Sequence, residues 1–178
     1  MSININNNII GFDLTEYDIE LATMLANKKN TNNRFSLARN NQENKKNNII
    51  GYLGEVAFHK IFPYMERVNN LDYDFKHNNM LIDVKTKSVV YTPQQHYECT
   101  VYKYNYNLQK NTHYVFVRIK HDFTKAYLLG IIGKKDFKDN SIEFKKGQQI
   151  GTNNYRCKDD CYNITIGQLN SLESYLKG

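Results

Sequence analysis

Tryptophan is absent from the 178 residues, proline occurs twice and cysteine three times. With three cysteines at least one stays unpaired within the chain, which argues against the disulfide framework of a small secreted domain. Cys157 and Cys161 form a lone Cys-x-x-x-Cys pair, with no second pair or histidine cluster nearby. A zinc site takes about four ligands, so no zinc centre is expected there. No apolar run is long enough for a signal peptide or a membrane span. The five histidines show no metal-ligand spacing, and there is no glycine-rich phosphate cradle, Ser/His/Asp arrangement or internal repeat. An intracellular, cytoplasmic protein without a membrane partner is expected.

What is present is of single-domain size, long enough for a hydrophobic core. One domain is expected over 1–178, with an N-terminal helix and basic linker (1–48), a core (49–132) and a C-terminal extension (133–178). Lysine and arginine outnumber acidic residues 24 to 18, a net charge of +6 that favours a polyanionic partner. The excess of Asn, Lys, Ile and Tyr fits an AT-rich coding sequence, so most of the 14 tyrosines carry no functional signal by number alone.

The most informative stretch runs from Asp72 to Lys87 and reads as a β-hairpin. Two alternating runs flank Asn78-Asn79, and Asn tolerates the positive φ that a type I′ turn requires at both central positions. With that turn Asp74 lies opposite Asp83, and Asp72 opposite Lys85. Because side chains alternate across a strand, these four share one face, while Phe75, Met80, Ile82 and Val84 share the other and fix the register by their burial. Two carboxylates directly opposed repel each other unless a cation lies between them. Hard oxygen ligands of this kind suit Mg²⁺, which keeps several waters and leaves room for phosphate oxygens. Lys85, two residues beyond Asp83, stands where an ammonium can position a water or stabilise charge on a phosphate.

Upstream, Ile50, Leu53, Ala57 and Ile61 recur at helical spacing between a capping Asn48 and Pro63. Gly51 and Gly54 each cost that helix about 1 kcal/mol relative to Ala, which implies close approach to a strand or to phosphate. Glu55 lies off the apolar stripe, beside Tyr52 and His59. Gly-x-x-Gly-Glu on a helix, then Asp74 on a strand, then Asp83-x-Lys85 on its partner resembles the PD-(D/E)XK nuclease superfamily, the restriction-endonuclease-like fold. The resemblance covers Ile49 to Ser88 and more loosely extends to Ile132, and it is most like the small phage and viral members and the archaeal-type Holliday junction resolvases. No proline precedes Asp74, and Asp83 stands where Glu is more frequent.

The resemblance implies an α/β fold with an α-β-β-β-α-β core, its mixed central sheet flanked by helices. It implies a metal-dependent DNA endonuclease with Glu55, Asp74, Asp83 and Lys85 as catalytic residues. Mg²⁺, with Mn²⁺ substituting, would be held by Asp74, Asp83, the Val84 carbonyl and Glu55. Duplex or branched DNA would be cut to leave a 5′-phosphate, and a homodimer would cut two strands. Two alternatives stay open: a nucleic-acid-binding or regulatory module that keeps the fold without the chemistry, and an RNA-directed nuclease.

Elsewhere, residues 1–8 are polar and expected to fray. A helix is expected from Asp13 to about Asn27, with Asp13 and Glu16 as a capping box and an apolar stripe of Leu14, Tyr17, Leu21, Met24 and Leu25. The basic segment from Asn30 to Asn48, with Arg34, Arg39, Lys45 and Lys46, reads as a connection or short helix. Tyr102 to Lys110 is the expected second core helix. Its Lys103, Tyr106, Gln109 and Lys110, together with Lys87, are candidate nucleic-acid contacts, lysine for phosphates and tyrosine for stacking. His113 to Lys120 and Ala126 to Gly133 read as central strands. Lys134 to Lys146 forms a second basic surface, and a strand end near Ile164 to Ile166 precedes a short closing helix.

Overall fold

A computed structural model describes residues 3–6, 8–32, 41–68, 70–150 and 156–176. In chain order these form β1 (Ile3–Asn6), β2 (Ile9–Asp13), α1 (Glu16–Asn32), α2 (Asn41–Ile61), β3 (Glu66–Arg67), β4 (Phe75–His77), β5 (Met80–Val89) and β6 (Glu98–Tyr102). There follow α3 (Lys103–Leu108), β7 (His113–Lys120), β8 (Lys125–Gly133), α4 (Lys134–Asn140), β9 (Ile142–Phe144), β10 (Cys161–Thr165), a 3₁₀ turn (Ile166–Gln168) and α5 (Leu172–Leu176).

The apolar runs expected to be central strands are β7 and β8, almost wholly buried in the middle of a seven-stranded mixed sheet ordered β1-β2-β8-β7-β5-β4-β3. Strands β5 and β7 pair in parallel and the other neighbours antiparallel. A parallel pair needs a crossover, here the segment holding β6 and α3. Strand β6 joins β10 and β9 in a second, three-stranded sheet.

Alternation along β7 divides the core. Val115, Val117 and Ile119 meet Leu53, Val56, Ala57 and Phe58 of α2, together with Ile82 and Val84 of β5. Tyr114 and Phe116 face the opposite way, toward Phe137 of α4 and Cys99, Val101, Tyr162 and Ile164 of the small sheet. Gly54 lets α2 lie directly on β5, because a Cβ there would stand 1.9 Å from Oγ1 of Thr86. Gly51 has no such neighbour within 4 Å, so the close-approach expectation holds for one glycine of the two.

Several expectations are corrected. Within the segment expected to fray, Ile3–Asn6 form β1 and pair with β2 as an edge hairpin, and Ile10 and Phe12 of β2 are buried, whereas residues 1, 2 and 7 lie outside the described residues. Asp13 is the last paired residue of β2, opposite Lys125, and so cannot cap α1. Thr15 takes that role, its backbone N–H donating to Asp18 (2.7 Å) and its hydroxyl accepting from the Asp18 N–H (3.3 Å). Of the expected stripe, Leu14, Leu21 and Leu25 pack half-buried against the core while Tyr17 and Met24 are exposed, and the fully buried positions of α1 are Asp18, Ala22 and Ala26. Helix α1 runs past Asn27 to Asn32, and α2 begins at Asn41 rather than Asn48. Arg34 and Arg39 lie outside the described residues. Strand β6 has no counterpart among the elements expected from the sequence.

Candidate active site

The hairpin forms in the expected register, with Phe75 opposite Ile82 and His77 opposite Met80 across Asn78-Asn79. Only Asn78 takes a positive φ, of 50°. Positive φ at the first central residue alone is the pattern of a type II′ turn, in place of the expected I′. Phe75, Ile82 and Val84 are buried against α2, as the alternation requires.

The ladder stops at Phe75, and that break makes the site. Asp74 is no longer in the strand, although its N–H still donates to the Ile82 carbonyl (2.8 Å), and its carboxylate accepts the Val84 N–H (2.7 Å). The carboxylate thus replaces the backbone acceptor that a longer β4 would supply. In a strand the N–H and C=O of one residue leave on the same edge, so the Val84 carbonyl is directed to the side on which Asp74 lies. The extended pairing of Asp72 with Lys85 does not occur. Asp72 sits in a bend, its N–H held by the side chain of Asn70 (2.8 Å) and its carboxylate 3.9 Å from Lys110.

Asp83 is 5% exposed on the β5 face opposite Ile82 and Val84. The Lys85 ammonium is 2.5 Å from its Oδ2, and among the described residues this buried oxygen has that ion-pair contact but no hydrogen bond. Gln109, just beyond α3, ties the pair together: its carboxamide oxygen accepts from Lys85 (3.1 Å) and its nitrogen donates to Oδ1 of Asp83 (3.3 Å). The Gln109 carbonyl in turn accepts from the Lys134 ammonium, which lies 4.9 Å from the centre of the Tyr106 ring. Glu55 reaches the cluster from α2 and is ion-paired to Arg67 of β3 (2.6 Å).

The electrostatics follow from this crowding. Burial, reinforced by the charges of Glu55 and Asp83, pushes Asp74 up to about 8, against the smaller stabilising effect of the Val84 N–H and Lys85. Lys134 is lowered, mainly by burial, although Asp83 favours its charged form. Lys87 is also lowered, first by loss of water and then by Arg118, an effect limited by the part of its side chain that stays in solvent.

Among the described residues no three Asp, Glu, His or Cys side chains stand together as a ready-made metal cage. The donors still fit Mg²⁺, which takes one or two carboxylates and completes its shell with water and phosphate. The charges of Glu55 and Asp83 disfavour the charged form of Asp74, and Oδ2 of Asp83 has the Lys85 ion pair but no hydrogen bond among the described residues. A cation between them would relieve both. Of the expected residues, Glu55, Asp74, Asp83, Val84 and Lys85 converge, and Gln109 joins them as a brace. Tyr106 borders the cluster through Lys134. Lys110 pairs with Asp72 (3.9 Å), while Lys103 is paired with Glu143 (2.9 Å). Lys87 donates to the Thr100 hydroxyl of β6 (2.7 Å). Arg67 and Lys134 are site residues that the sequence does not single out. Arg67 belongs to a strand of two residues with no legible pattern, and Lys134 reads only as part of a basic run. No protein-family model matches the chain, and no curated protein matches it.

Proposed function

We propose that this protein is a Mg²⁺-dependent endonuclease that hydrolyses phosphodiester bonds of DNA on a restriction-endonuclease-like fold. The observation that carries the reading is the convergence of Asp74, Asp83 and Lys85 where β4 leaves β5, with Glu55 beside them. The order α2, β3, β4, β5, α3, β7, interrupted between β5 and α3 by β6 of the second sheet, with β7 parallel to β5 at the end of an antiparallel meander, supports the fold assignment. Asp74, Asp83 and the Val84 carbonyl would hold the metal, with Glu55 as a further ligand directly or through water. Bound there, Mg²⁺ or Mn²⁺ would supply Lewis-acid stabilisation of a phosphate and acidify a water.

The chain's own residues divide the remaining work. Lys85, a strong donor held by Gln109, orients the attacking water and balances charge that develops on the phosphate. Arg67 holds Glu55 in place from β3. Lys103, Tyr106, Lys110 and Lys134 offer cations and rings to the nucleic acid, and a 5′-phosphate product and homodimeric action follow by resemblance. The test is incubation of branched, duplex and single-stranded DNA, and of a single-stranded RNA, with the protein, with and without Mg²⁺. Cleavage of at least one DNA only when metal is present is the expected result. Metal-independent cutting, no cutting, or cleavage of RNA alone would overturn the proposal.

A further inference from the structure

Beyond Lys85 on the same face of β5, Lys87 stands beside Arg118 of β7, its partner in the parallel ladder. Lys85, Lys87, Arg118 and Lys158 line one cavity of about 460 Å³, within the span of about 300–1,000 Å³ typical of ligand pockets. No Asp or Glu is among the described residues that line it. Arg118 is 5% exposed, and the partners of its guanidinium are the backbone carbonyls of Glu98 and Val117. Those oxygens satisfy donors without neutralising the charge, and a buried cation ordinarily requires a counter-charge. The Glu98 carboxylate lies close enough to influence Lys87 but is not part of the cavity wall.

The backbone adds to this. Val84 directs its N–H away from β7, so Thr86 and Ser88, in the same phase, direct theirs to the edge that β4 leaves uncovered beyond Ile82. Both residues line the cavity. Lys85 and Lys87 are two residues apart on a strand, about 6.6 Å. That step suits two neighbouring phosphates of one nucleic-acid strand.

We propose that this cavity is a phosphate subsite in which Lys87, Arg118 and Lys158 hold a phosphate of the same strand, next to the one at Asp74 and Asp83. The placement beside a scissile phosphate rests on the nuclease reading; phosphate binding by the cavity does not. The test uses a 20-nucleotide single strand in EDTA, with affinity measured by fluorescence anisotropy across a salt series. Wild type is compared with Lys158→Gln and with Lys87→Gln/Lys158→Gln, and inorganic phosphate is titrated separately while thermal unfolding is followed.

The double variant should bind about tenfold more weakly, with a log–log salt slope shallower by about 0.7 for each phosphate it no longer neutralises. Inorganic phosphate should raise the unfolding temperature of wild type more than that of the double variant. Lys158→Gln, a change at an exposed position, should show the same effects in smaller measure. Strands with a 5′-phosphate, a 5′-hydroxyl and a closed circle separate the source: a deficit on all three marks an internal diester, and one confined to the first marks a strand end. Unchanged affinity, slope and phosphate response in the folded variants would overturn the subsite. A wild type that binds as described but cuts nothing in Mg²⁺ would instead overturn the nuclease reading and leave the subsite standing.

Discussion

Asp74 bears the sharpest electrostatic conflict in the cluster, and its consequence for stability has a definite sign. Its pKa rises from 3.8 to about 8 on folding, so its contribution to stability is fully present below pH 3.8 and is lost as the pH climbs through about 8. Asp74→Asn removes the conflict. In chelator, urea unfolding should show the variant more stable than wild type at pH 8.5 by on the order of 1–2 kcal/mol, less than the full shift implies because the cluster relaxes and admits water. The gap should close toward pH 4, and Mg²⁺ should stabilise wild type but not the variant; an equal gap at both pH values would place the shift elsewhere. Lys85 carries a different expectation. Lys85→Ala should abolish cleavage while DNA affinity falls by less than about threefold, since one cation is removed from a broad basic surface. Retained cleavage would remove its catalytic role, and collapse of binding would make it a phosphate anchor.

At the scale of elements, the contact of α2 with β5 sets where Glu55 meets Asp74. Gly54→Ala should destabilise the fold by about 1–3 kcal/mol in urea unfolding, because its new methyl would overlap Thr86 at 1.9 Å. Combining it with Thr86→Ala should recover part of that loss, and a neutral Gly54→Ala would mean that α2 and β5 are not held this closely. The hairpin is legible in the sequence because a slip of one residue would expose Phe75, Ile82 and Val84, and because Asn-Asn marks the turn. The start of α1 is not. Asp13/Glu16 and Thr15/Asp18 both have capping-box spacing, and only the pairing of Asp13 with Lys125 across the sheet decides between them. The N-terminal hairpin is obscured by its Asn-rich composition, although Ile10 and Phe12 already alternate. Within the site, Asp74, Asp83 and Lys85 can be read from local pattern. Their braces cannot, since Gln109 and Arg67 come from segments 26 and 12 residues away from the carboxylates they touch.

Across the whole molecule, a net charge of +6 lies on a mixed α/β sheet with a second, smaller sheet against it, and no described helix is long and apolar enough to cross a membrane. Much of the surface charge is already engaged in exposed pairs such as Lys135 with Asp139 and Lys145 with Glu143, which contribute little to stability. Nucleic-acid affinity should therefore depend on the cations around the site. Binding of duplex DNA should weaken steeply with salt, with a log–log slope near −0.9 for each phosphate neutralised. A flat salt response would contradict an electrostatic interface. The most direct measurement of the central claim is nicking of supercoiled plasmid in Mg²⁺ by wild type and by Asp83→Asn, each shown to be folded. Wild type should convert the plasmid to open-circular or linear form only with metal, and Asp83→Asn should be slower by at least about a hundredfold. Equal rates for the two proteins, or no conversion by wild type in Mg²⁺ and Mn²⁺, would contradict it.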